Sequence, residues 1–62
     1  MQDMKAHLEK LRTDAAECAL IRDLASDPAK RALFTRLADH LGTLASEVEA
    51  AIAATVAGGE SV

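Results

Sequence analysis

The chain is 62 residues long with a formal net charge of −3, so it is one domain at most, and a single core is marginal at this size without a metal, disulfides or a partner chain. An intrachain disulfide is excluded because Cys18 is the only cysteine. Seven basic residues are interspersed with ten acidic ones, which argues against nucleic acid as a partner, since phosphate affinity depends on clustered Lys and Arg.

Half of the residues are hydrophobic, but many are alanine and Phe34 is the only aromatic; any core is aliphatic and thin. Alanine, leucine and long charged residues dominate, which is the composition of an all-α protein. The opening MQDMKAHLEK carries charges where a signal peptide needs an apolar run, and no stretch approaches the roughly 20 apolar residues of a membrane span. No membrane partner is expected. A lone unpaired cysteine makes the reducing cytoplasm the expected compartment.

The first predicted helix covers about residues 3–25. Met4, Leu8, Leu11, Ala15, Cys18 and Ala25 follow alternating steps of four and three, with Arg22 filling the remaining position. This is a heptad seam and calls for an amphipathic helix. Arg22, on the seam beside the turn, is expected to send its guanidinium to the last carbonyls of this helix or to Asp27.

The run Ser26-Asp27-Pro28 marks the break. Proline is favoured at the first helical position, and the residue before it is pushed away from helical conformation. Asp27 is therefore the expected N-cap of the second helix. Lys30 stands where a capping box wants Glu or Gln.

The second predicted helix covers about residues 28–57. Phe34, Leu37, Leu41, Leu44, Val48 and Ala51 repeat the heptad rhythm, and Ala38, Ala45 and Ile52 widen it to three positions per heptad, which suits a bundle better than a narrow two-stranded coil. Gly42 costs about 1 kcal/mol relative to alanine inside a helix; it is read as tolerated rather than as a point of close approach. Gly58 and Gly59 end the helix, leaving 58–62 as an expected flexible tail and 1–57 as the hairpin.

A connection this short folds the helices back as an antiparallel hairpin. Cys18 then lies near the level of Thr35, Thr13 near His40, and His7 near Ser46. On a helical wheel Leu20 and Leu24 point away from the seam and Ile21 lies on its flank. Two helices cover only one face of each other, so these residues call for a second packing partner. A twofold dimer forming a four-helix bundle is the expected solution, with Leu20, Ile21, Leu24, Phe34 and Leu41 as interface residues.

Candidate chemistry is sparse. Cys18 on the seam reads as a small buried hydrophobe; a reactive thiol needs an electropositive, partly exposed setting. His7 and His40 have no partner at i+3 or i+4 spacing among metal-ligating residues, so no metal site or cofactor is expected within the chain. The scattered charges read as solvating, except that Glu17 and Arg31 are read as a polar pair setting the register of the hairpin or dimer. No phosphate loop, nucleophile elbow, HExxH or CxxC is present, and no catalytic residue is assigned.

Residues 15 to 45 carry a recurrent pattern: Ala16, Glu17 and Cys18, then Asp27, Pro28 and Arg31, then Leu37 and Ala38, with Leu44 and Ala45 repeating the last pair. This resembles a group of short, uncharacterised bacterial helical-hairpin proteins, in which a tryptophan often stands where this chain has Leu41. The resemblance implies the hairpin and brings no activity.

The expected function is therefore that of a non-enzymatic, self-associating structural or protein-interaction module. The alternatives are a thiol- or metal-responsive sensor centred on Cys18, and an adaptor that binds an amphipathic helix of another protein.

Overall fold

The first helix begins where Asp3 can receive its free backbone N–H groups. In the computed structural model, which describes residues 3–58, Asp3 has extended backbone and its carboxylate accepts from the amides of Lys5 and Ala6 at 3.1 and 3.3 Å. Its own carbonyl accepts from the His7 amide at 3.1 Å. The cap satisfies donors that a helix start would otherwise leave to water. Helix α1 runs Met4–Leu24 and ends at Ala25, which turns to extended backbone while its N–H donates to the Arg22 carbonyl.

Helix α2 runs Pro28–Gly58. Its start rests on three residues of one motif. The Asp27 carboxylate accepts from the Ala29 amide at 3.2 Å, and the Asp27 carbonyl accepts from the Arg31 amide at 2.9 Å. Pro28 fills the first helical position, where no N–H is needed. Arg31, one turn further, donates from Nη2 to the Ala25 carbonyl at 2.8 Å. That bond ties α2 back to the end of α1 and satisfies an acceptor that the helix end had freed. The expected route for Arg22 is not taken: its Nε donates to Asp23 at 2.9 Å instead, and Arg31 serves the carbonyl in its place.

The two helices pack against each other, and no strand occurs among the described residues. On α1 the covered row is Leu8, Leu11, Ala15, Cys18, Arg22 and Ala25, following the heptad seam except at Met4, which is exposed. On α2 the covered row is Phe34, Ala38, Leu41, Ala45, Val48 and Ile52. Of the expected Phe34, Leu37, Leu41, Leu44, Val48, Ala51 row, Leu37 and Ala51 are exposed, while Leu44 is half-buried at the edge of the covered row. The stripe is three positions wide, and α2 is rotated so that its alanines face α1. Ala38 and Ala45 alternate along this row with the larger Phe34, Leu41, Val48 and Ile52, so small and large side chains share the surface facing α1.

The core is correspondingly thin. Leu8 and Ala45, 8% and 7% exposed, are its only buried members among the described residues, and no side chain is fully enclosed. The molecule measures 48 × 16 × 13 Å, and its radius of gyration of 14.7 Å exceeds the roughly 11 Å of a compact domain of this length. Its long axis is set by α2, whose 31 residues span about 46 Å at the rise of an α-helix.

Thr35, Thr43 and Thr55 each donate a hydroxyl to the carbonyl four residues earlier, at 2.8 to 3.0 Å. Threonine in a helix gains a partner for its hydroxyl in this way. Gly42 is half-buried, and a Cβ added there meets nothing within 4 Å. Gly58 is the last residue of α2, and the remainder of the expected tail, 59–62, lies outside the described residues.

Candidate interaction surface

The covered rows orient everything else on the hairpin. Because residues advance about 100° each and the helices run in opposite directions, Ile21 of α1 and Leu33, Leu37 and Leu44 of α2 fall on one side of the plane containing both axes. Arg12, Glu49 and Gly42 fall on the other. The ion pair from Arg12 Nη2 to Glu49 Oε2 at 3.0 Å closes across that second side. Their levels differ along the axis, yet side chains lean toward their own helix N-terminus, so in an antiparallel pair the two lean toward each other.

Near the hinge the first side is apolar and open. Leu24 is 75% exposed and Leu20 58%, and Ile21, Leu33 and Leu37 are also exposed. Leu20 and Leu24 lie on the outer back of α1, so the apolar surface wraps from there through Ile21 onto Leu33 and Leu37. All five belong to the hinge-proximal half of the hairpin. Of the expected interface residues, Leu20, Ile21 and Leu24 thus sit in water, whereas Phe34 and Leu41 are half-buried in the row facing α1. Reading α2 as a single broad stripe hid Leu33 and Leu37. The signal for them was their spacing of four, with Leu44 and Ala51 following Leu37 at intervals of seven.

Charged groups border this surface: Lys10, Asp14 and Glu17 continue the Ile21 and Leu24 row of α1 toward its N-terminus, and Lys30 precedes Leu33 on α2. Lys10 and Asp14 pair at 3.4 Å along α1, and Arg22 pairs with Asp23. The Arg22 guanidinium is held above its ordinary value by the hydrogen bond to Asp23 and by the charges of Asp23 and Asp39, so it stays cationic. Arg31 is engaged with the Ala25 carbonyl, and Glu17 is exposed and joins no ion pair among the described residues. The ion pair joining the two helices is Arg12 with Glu49.

Cys18 is a free thiol, half-buried in the row facing α2. His7 and His40 are exposed. Among the described residues no group of three or more His, Cys, Asp or Glu side chains is placed to hold a metal ion. No described helix is long and apolar enough to cross a membrane. The distinguishing feature of the described residues is the exposed apolar surface of Leu20, Ile21, Leu24, Leu33 and Leu37.

No protein-family model matches the chain, and neither a curated protein nor a solved structure is significantly similar to it.

Proposed function

We propose that the protein is a non-enzymatic helical hairpin that associates with a second copy of itself into a four-helix bundle and acts as a structural or protein-interaction module. The observation that carries this reading is the exposure of Leu20, Ile21, Leu24, Leu33 and Leu37 in a hairpin whose buried core, among the described residues, consists of Leu8 and Ala45. Fully burying a leucine or isoleucine stabilises by about 1.5–3 kcal/mol. Covering this group therefore adds several kcal/mol to a hairpin whose own core is too small to offset the entropy of ordering two helices.

The accessible surface supports the same conclusion. It is 4519 Å², whereas a folded monomer of 6.5 kDa exposes about 3,800 Å² by the mass scaling of globular proteins. The excess, roughly 700 Å², goes with the elongated 48 × 16 × 13 Å shape and leaves more surface in water than a compact monomer of this mass. The lone thiol favours a reducing compartment, and we assign the module to the cytoplasm.

Size-exclusion chromatography with light scattering, read together with circular dichroism, tests the proposal. The expected result is a dimeric mass with full helicity at micromolar concentration. Exchanging Leu20 and Leu24 for glutamate is expected to shift the mass to that of one chain. A fully helical wild-type monomer at micromolar concentration overturns self-association.

A further inference from the structure

The two helices differ in length, and the difference leaves a second uncovered feature. Helix α1 has 21 residues and α2 has 31, so α2 outruns α1 by about 15 Å at the open end of the hairpin. From Ala50 to Gly58 the sequence contains no charged residue. Ala50, Ala51, Ala53 and Ala54 are exposed there and Ile52 is half-buried. A helix segment without a charged face is characteristic of one packed on several sides, yet among the described residues α1 begins at Met4 and covers this segment only in part, at Ile52.

The hairpin therefore has two unpartnered apolar regions at opposite ends. One is the cluster of Ile21, Leu24, Leu33 and Leu37 beside the hinge; the other is the overhang of α2. Each is about two to three helical turns long. Building on the self-association proposed above, we infer that two copies pair with their hinges at opposite ends, so that the overhang of each α2 lies over the hinge-proximal cluster of the other copy.

A twofold axis across the middle of α2 achieves this. It sets the two α2 helices antiparallel, with Leu44 near the axis and Leu37 level with Ala51 of the second copy, so a large residue meets a small one. At each end the overhang enters the groove between α1 and α2, flanked by Ile21 on one wall and Leu33 and Leu37 on the other. The interface is closed and isologous. Pairing with both hinges at one end is disfavoured, because both overhangs then lie together with only each other for cover. The side of the hairpin that carries the Arg12 and Glu49 pair faces outward.

Spin labels distinguish the arrangements. Ser26 is exposed in the hinge; labelling Ser26→Cys in a Cys18→Ala chain, with mass and helicity checked, gives one label per protomer. The expected separation is about 50 Å, set by the rise of α2 on either side of the axis. A dimeric mass with labels within about 25 Å overturns the orientation while leaving self-association intact. A monomeric mass without dipolar coupling overturns self-association and the inference with it. A second measurement does not use the hinge: mixing chains carrying Leu37→Cys with chains carrying Ala51→Cys, both in the Cys18→Ala background, is expected to yield mainly the mixed disulfide. Absence of that species from a dimeric sample counts against the antiparallel arrangement.

Discussion

Arg31 reaches back across the connection and donates to the carbonyl of Ala25 at 2.8 Å. With the Asp27 cap and Pro28 at the first helical position, it makes the hinge a single hydrogen-bonded unit in which each group of the Asp-Pro-x-x-Arg run has one task. Aspartate starts α2, proline stops α1 from continuing, and arginine closes the exposed end of α1. Replacing Arg31 by alanine is expected to cost about 0.5–1.5 kcal/mol, the net value of such a bond. Chemical denaturation at fixed protein concentration measures it, and an unchanged midpoint would show the bond to be inconsequential.

Gly42 offers the opposite case. A Cβ placed there meets nothing within 4 Å, and the position lies on the side of the hairpin away from Leu37 and Leu44. Gly42→Ala is expected to stabilise by about 0.5–1 kcal/mol, through helix propensity and a less flexible unfolded chain, while leaving the oligomeric mass unchanged. Loss of the assembly in this variant would place a close helix contact at the glycine.

Leu8 and Leu33 separate the core of one hairpin from the proposed contact between hairpins. Leu8 is 8% exposed, whereas Leu33 is 43% exposed. Leu8→Ala is expected to cost about 2–3 kcal/mol and to unfold much of the helix, as read by circular dichroism. Leu33→Ala touches little within its own chain and is expected to weaken association several-fold, as read by the concentration dependence of the mass. Equal losses of helicity at fixed concentration would show that Leu33 supports its own hairpin instead.

The Arg12 and Glu49 pair crosses between the helices, but the side chains remain 49% and 60% exposed. Solvent and salt screen such a pair, so a double-mutant cycle to alanine is expected to return a coupling of at most about 0.5 kcal/mol. A coupling above about 1.5 kcal/mol would mean that the pair is shielded in the assembled protein, on the face left outward here.

Much of this hairpin was legible in the residues. The hinge was readable because proline removes a donor and restricts its predecessor, effects that act within two residues regardless of the rest of the chain. Helix α1 was readable because its covered positions follow one row. The α2 stripe was readable as well, since all six covered residues belong to it; which of its edges faces α1 was not, because Leu37 and Leu44 compete with Ala38 and Ala45 and hydrophobicity favours the leucines. Arg22 and Arg31 were equally ambiguous: both lie within reach of the end of α1, and their partners depend on angles that spacing does not define.

Sequence alone thus determined two helices, their boundary at Asp27 and Pro28, and an apolar surplus beyond what one helix pair can cover, because propensity, capping and composition are local or additive properties. The tertiary structure alone decided how α2 is turned about its own axis. One edge of the α2 stripe, with Ala38 and Ala45 between larger residues, faces α1, and Leu33 and Leu37 on the other edge are left facing outward beside Ile21.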